Sequence, residues 1–293
     1  MKILFLALVA LQLLLLCNNG FVQSNSYPDI NYDPNTAESF LMYSYAAYCE
    51  GPDISNWTCP TCSYKTMNDF KIVNLIYNAT TDTQAYVGYY GNNVLVVFRG
   101  SMDVYSWITN LQFLYDAYPF CTDCYVHSGF HKAWLSVRSE IEASVANSMK
   151  LCGPKCGLIV TGHSLGGALA TLAMAELIQI YKNIPTFIYT FGSPRVGNDN
   201  FASYYNSIQP NNYRTVNQHD LVPHVPTEVM QYHHVPTEVW YTSNGTYQEC
   251  NDSGEDPSCS DSITNPATLS IYDHLHYFNI HCCCRDFNGS SEQ

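Results

Sequence analysis

Apolar residues fall into distinct rhythms along this chain. Behind Lys2, an apolar run extends from Ile3 to Leu16, broken only by Gln12. A basic residue ahead of so short a run fits a secretory leader, because a bilayer span needs about 20 apolar residues. Cleavage after Ser24 is expected, with Gly20 as the rival site and an uncleaved N-terminal anchor as the alternative reading. No second segment is long and apolar enough to span a bilayer. Spacing by three or four then predicts a first helix over 38–48, with Phe40, Leu41, Tyr43 and Tyr48 on its apolar side. Strand-like runs follow at 72–77, 83–89 and 94–98, the last two joined by the turn signal Gly91-Asn92-Asn93.

Helical spacing returns over 129–149, where Trp134, Val137, Ile141 and Val145 share a face, and again over 166–181 and 198–208. Short apolar runs at 158–160, 186–191, 213–216 and 238–241 read as strands between and after those helices. Strands alternating with helices argue for a mostly parallel sheet covered on both faces. No linker-like stretch divides the chain, so residues 25–293 are expected to form one α/β domain. The hexapeptide His224-Val225-Pro226-Thr227-Glu228-Val229 recurs as His234-Val235-Pro236-Thr237-Glu238-Val239. Two copies cannot build a solenoid, which needs at least three units, so the repeat is read as a loop leading into the strand at 238–241.

Composition sharpens this picture. The 293 residues are 46% hydrophobic and only 13% charged, too apolar for a disordered chain. With 12 Lys+Arg against 25 Asp+Glu the net charge is −13, and no basic stripe exists to neutralise phosphates. Nucleic-acid binding is therefore excluded as a reading.

Cysteine usage supports export. Cys17 leaves with the leader, and an even set remains, which in an exported chain reads as disulfides. Short-range bridges Cys59–Cys62, Cys121–Cys124, Cys152–Cys156 and Cys250–Cys259 are the preferred pairing. They leave Cys49 to join one of Cys282, Cys283 and Cys284. The C-x-x-C pairs also have zinc-site spacing, a reading the oxidising compartment disfavours. Asn56, Asn78, Asn244, Asn251 and Asn288 open N-glycosylation sequons, expected on surface loops.

The strongest chemical signal is Gly162-His163-Ser164-Leu165-Gly166. It sits between a buried strand and an amphipathic helix, as a nucleophile elbow requires. Gly162 and Gly166 flank the serine because a side chain there would collide across the turn, and Gly167, Ala168 and Ala170 let the helix press on the strand. A serine hydroxyl needs a base to take its proton and a third group to orient that base. On this architecture the order is Ser, then Asp or Glu, then His. Asp220 lies just past a strand end, where site residues are delivered. Near the C-terminus, His274 and His276 both satisfy the order. A metal hydrolase on His233 and His234 is disfavoured, because neighbours on a strand point to opposite faces and no nearby acidic pair completes a site. No cofactor is required by the serine chemistry. Between Met102 and Leu111, the side chains of Val104, Trp107, Ile108 and Leu111 form an apolar stripe at helical spacing, which periodicity alone reads as core packing.

Taken together, several ordered motifs resemble the fungal-type class 3 lipases. They are Val97-Phe98-Arg99-Gly100-Ser101, Val126-His127-Ser128-Gly129-Phe130, Gly162-His163-Ser164-Leu165-Gly166-Gly167-Ala168 and Phe191-Gly192-Ser193-Pro194-Arg195-Val196-Gly197. Asp220-Leu221-Val222-Pro223 and Asp273-His274-Leu275-His276-Tyr277-Phe278 complete the set. The resemblance implies an α/β-hydrolase fold and a triad of Ser164, Asp220 and His274, selecting His274 over His276. It implies an oxyanion site from Ser101 and the Leu165 backbone N–H, with Ser101 also readable as a helix N-cap. It makes the Val104–Leu111 stripe a lid that opens at a lipid surface, with Trp107 at its tip. It also resembles the pairings Cys59–Cys62, Cys250–Cys259 and Cys49 to the C-terminal cluster. The expectation is a secreted carboxylic ester hydrolase acting on acylglycerols at an oil–water interface. Phospholipase A1, feruloyl esterase and a non-catalytic lipid-binding glycoprotein are the alternatives.

Overall fold

A computed structural model describes residues 31–209 and 211–284. The expected leader and the Asn288 sequon lie outside these residues. The first helix, α1 (Pro34–Ala46), starts earlier than its periodicity suggests. Asp33 is the reason: its carboxylate accepts from the Thr36 N–H at 2.8 Å while Pro34 opens the first turn, where a missing N–H costs nothing. A short α2 (Gly51–Asn56) follows, which periodicity did not reveal.

Next come β1 (Lys71–Asn78), β2 (Thr83–Tyr90) and β3 (Asn93–Phe98), an antiparallel meander. The chain then forms α3 (Val104–Thr109), the small antiparallel pair β4 (Tyr115–Ala117) and β5 (Tyr125–His127), and the long α4 (Ser128–Cys152). From there β6 (Gly157–His163), α5 (Leu165–Ile180), β7 (Thr186–Phe191), α6 (Asp199–Ile208) and β8 (Asn212–Asn217) alternate. Last come β9 (Glu238–Tyr241), β10 (Tyr247–Glu249), α7 (Ile271–His274) and the hairpin of β11 (His276–Tyr277) and β12 (Ile280–His281).

The main sheet has the order β1-β2-β3-β6-β7-β8-β9-β10, parallel from β3 to β9. Strand β6 runs further than the apolar triplet 158–160 because Thr161 and Gly162 keep pairing with both neighbours and His163 with β7. Period-two alternation feeds two cores. Val94, Val96, Phe98, Leu158, Val160 and Ile188 pack under α4 and α5, with Trp134, Val137, Ile141 and Val145 opposite. Leu95, Val97, Ile159, Phe187, Tyr189 and Phe191 face α1, whose Phe40, Leu41 and Tyr43 cover them. This is the α/β-hydrolase architecture, a mostly parallel sheet with helices on both faces.

The four short-range disulfides pair as expected, and Cys49 joins Cys284. Asn56, Asn244 and Asn251 are exposed. Asn78 instead ends β1, half-buried, with its Nδ2 donating to the Ser136 carbonyl at 3.1 Å.

Candidate active site

Strands β6, β7 and β8 end at one edge, and there the predicted site residues gather. Ser164 is the single residue between β6 and α5, with φ 60 and ψ −133, a conformation a non-glycine residue rarely adopts. Its N–H bonds the Phe191 carbonyl at 2.9 Å, so β7 holds the bend. The flanking glycines permit the approach: a Cβ on Gly162 would meet the Gly166 carbonyl, and one on Gly166 the Phe98 carbonyl of β3. At β7's end, Gly192 has φ 57, and a Cβ there would sit 2.7 Å from Asp220 Oδ2 and 2.8 Å from the His274 ring.

Asp220 follows β8 and is wholly buried, yet its oxygens are satisfied. Oδ1 accepts from the Val222 N–H at 2.8 Å, Oδ2 accepts from the Tyr277 hydroxyl at 2.5 Å, and both lie 2.9 Å from His274 Nδ1. A carboxylate can only accept, so Nδ1 carries the proton and Nε2 keeps its lone pair. That Nε2 and the Ser164 Oγ are both buried without a hydrogen-bond partner. The Asp–His half of the expected relay is therefore made here, while the Ser–His half is not hydrogen-bonded. Catalytic hydrogen bonds of this kind commonly tighten only when substrate is bound.

His274 is pinned from several sides. Ser270 caps α7 by accepting from the Asp273 N–H at 3.0 Å, and its own N–H bonds the His219 carbonyl at 2.8 Å. Asn217 Nδ2 reaches the Asp273 and His276 carbonyls at 3.0 and 3.1 Å. His163 stacks beside the His274 ring with centroids 4.5 Å apart. Its Nε2 lies 2.9 Å from the His274 carbonyl, which can only accept, so Nδ1 receives the Tyr48 hydroxyl at 2.9 Å. Burial, with His274 alongside, holds His163 well below the ordinary imidazole range, so it stays neutral. Burial first, then Asp220, raises the Tyr277 hydroxyl well above its usual value and keeps it a donor. Tyr48, His163, Gly192 and Tyr277 carry no site role in the sequence reading, although His163, Gly192 and Tyr277 lie within its motifs. Their partners lie far away in sequence, so membership of a motif gives no sign of what each one touches. His276 stands apart, stacked on Tyr272 with Nδ1 bonded to the Tyr272 carbonyl at 2.7 Å.

Ser101 and Leu165 both line a cavity of about 680 Å³ beside the elbow, with Trp107, Leu111, His127 and Phe130. Leu165 is the first residue of α5, so its N–H has no intrahelical acceptor. Ser101 is not the helix cap. Asp103 takes that role for α3, accepting from the Ser106 N–H at 2.9 Å. Of the apolar stripe, Val104 is buried, while Trp107, Ile108 and Leu111 are half-buried; Trp107 stacks on Phe130 at 6.1 Å. The outward side carries Met102 and Tyr105, 64% and 67% exposed. The stripe thus faces inward, and Ser164, Asp220 and His274 have no exposed surface.

His233 and His234 do not sit on a strand, and an acidic pair does stand near His233, contrary to expectation. Ligand atoms of Glu228, His233 and Glu255 lie within 4.8 Å of one another. Glu255, however, is committed to Arg195 through two hydrogen bonds of 2.7 and 2.8 Å.

Comparison with known proteins bears on the family and the fold. Residues 95–230 match the family model described as lipase (class 3). The Rhizomucor miehei lipase is 38% identical over 233 residues, covering 77% of this chain and 63% of that protein, so the chain spans under two thirds of that relative's length. The secreted mono- and diacylglycerol lipase 1 of Fusarium solani is 33% identical over 258 residues, covering 84% of this chain and 76% of its own. A solved triacylglycerol lipase, whose catalytic centre is described as a serine protease triad, superposes with a TM-score of 0.78 at 35% identity, over 85% of this chain and 95% of that one. Shared fold, ordered motifs and identity over most of the Fusarium protein leave one conclusion: this chain belongs to the class 3 lipase family.

Proposed function

We propose that this protein is a secreted serine ester hydrolase that cleaves acylglycerols at a lipid surface, with residues from 25 onward as its exported domain. The observation that carries the reading is the pairing of a strained Ser164 bend with an Asp220–His274 contact of 2.9 Å that leaves His274 Nε2 as a buried acceptor. Ser164 Oγ attacks the ester carbonyl carbon while His274 Nε2 takes the hydroxyl proton. The resulting imidazolium is stabilised by Asp220 and returns the proton to the departing alcohol, leaving an acyl-enzyme. Water then attacks the acyl carbon, giving its proton to His274, and the fatty acid leaves as Ser164 recovers its hydrogen. The Leu165 N–H at the start of α5, with Ser101 across the cavity, supplies donors to the oxyanion.

Helix α3 and its flanks act as the lid. Their apolar stripe covers the site in water and enters the lipid when they swing out. A net charge of −13 favours neutral droplets over anionic bilayers. The test is hydrolysis of emulsified triolein, phosphatidylcholine and methyl ferulate side by side, with wild type and Ser164→Ala. Cleavage of triolein lost in the variant, with a native circular dichroism spectrum, is the expected result. Turnover retained by Ser164→Ala would refute the nucleophile, and a preference for ferulate would refute the substrate class.

A further inference from the structure

The turn that aims Asp220 at His274 runs through Pro223 and Pro226, and a proline has no N–H with which to anchor itself. Both are held by their carbonyls. Arg195 Nη1 donates to the Pro223 and Pro226 carbonyls at 3.3 and 3.2 Å, and the Arg195 backbone N–H bonds the Val225 carbonyl at 3.0 Å. Arg195 is only 4% exposed, and its remaining nitrogens face Glu255, Nε to Oε1 at 2.8 Å and Nη2 to Oε2 at 2.7 Å. Glu228 and Asp261 complete the acidic surround at 3.9 and 3.7 Å.

The repeated hexapeptide finds its place here. Its first copy contains Pro226 and Glu228. Its second contributes His234, whose Nε2 donates to the Pro223 carbonyl at 2.7 Å and whose N–H bonds Glu255 Oε1 at 2.8 Å. Glu255 itself rides in the loop closed by Cys250–Cys259, stiffened where Asp256 accepts from the Asn251 and Ser258 N–H groups at 2.8 and 2.9 Å.

We infer that Arg195, fixed by Glu255, is a positioning residue for Asp220: its guanidinium sets the Pro223–Pro226 turn and thereby the direction of the Asp220 carboxylate. This rests on Asp220 being the residue that orients His274. Truncating Arg195 alone would strand a buried carboxylate, so the informative variant is Arg195→Met with Glu255→Leu. Replacing both charges by apolar groups is often neutral for stability yet removes the guanidinium donors to both prolines, leaving Pro223 held by His234 and Pro226 without its Arg195 bond. Turnover of p-nitrophenyl butyrate is measured per active site, the sites being counted by fluorophosphonate labelling run to completion. The far-downfield imidazole proton of His274 is followed by NMR.

The expected result is a kcat per titrated site lower by roughly 10- to 100-fold, KM within about twofold, and a displaced or lost imidazole resonance. Wild-type kcat per titrated site, with the resonance unmoved, would overturn the inference and leave Arg195 a merely structural residue. If the apolar pair does not fold, Glu255→Gln carries the same readouts with a smaller expected loss. Asp220→Asn is the reference: wild-type turnover there would bring down the underlying triad assignment as well. A slow Asp220→Asn beside an unimpaired double variant overturns this inference alone.

Discussion

The elbow at Ser164 and the segment around α3 lie across one cavity from each other, yet they are built on opposite principles. At the elbow, β3, β6 and α5 approach so closely that two glycines are needed. Along α3, a helix of six residues, only Val104 is buried, and Tyr105 on it and Met102, Phe113 and Leu114 beside it are exposed. Such a short helix has little stability of its own and depends on what it lies against. One side of the site is fixed by packing at interior density, and the other is held by few buried contacts.

The largest expected effect tests the fixed side. Gly166→Ala should destabilise the fold by about 3 kcal/mol, because its Cβ would press on the Phe98 and Arg99 backbone; Tyr105→Ala should change stability by less than about 0.5 kcal/mol. Urea unfolding of both variants measures the contrast, and equal losses would erase it. Next comes Tyr277→Phe. Removing one hydrogen bond to the Asp220 charge should lower kcat about tenfold, consistent with roughly 1.5 kcal/mol, while KM on a soluble ester holds.

Acid separates the two sides further. Burial holds His127, which caps α4 behind α3, down to about 4, and holds His163 well below its ordinary value. Each is neutral when folded and protonates near pH 6.5 when unfolded. The stability each contributes is therefore complete above about pH 6.5 and lost as pH falls towards its folded value. The melting temperature should drop between pH 7 and 4. His127→Asn, which keeps a capping oxygen, should flatten part of that drop, whereas no flattening would show that His127 is not a source of it. The smallest effect belongs to the α3 side: if it is the proposed lid, Trp107→Ala should weaken adsorption to triolein droplets by about threefold and leave kcat on soluble esters unchanged.

The contrast also explains what could be read from the sequence. Strand β9 and the helices around α5 followed directly from periodicity, since local rhythm and tertiary burial agree there. The elbow was legible because its constraints are local, with glycines two residues either side of one serine. The first helix was misplaced by a cap, Asp33 with Pro34, that lies outside the apolar rhythm. The pairs β4 with β5 and β9 with β10 were not foreseen in full because short, exposed edge strands leave little alternation. Tyr48, Tyr277 and Arg195 were invisible as site residues because each acts on a partner brought near only by the fold. His274 and His276 could not be separated by spacing; in space, one meets Asp220 and the other an exposed tyrosine ring.

Cys49 and Cys284 are 235 positions apart, so their bond turns nearly all of the folded chain into a ring. A closure of that length removes unfolded-state entropy worth about 5 kcal/mol in the chain-entropy picture. It also means that a protease nicking the exposed Gly245 turn cannot separate the Ser164 fragment from the fragment bearing His274. Clipped enzyme should migrate as one band until a thiol is added, and the two halves of its catalytic machinery would remain on a common leash.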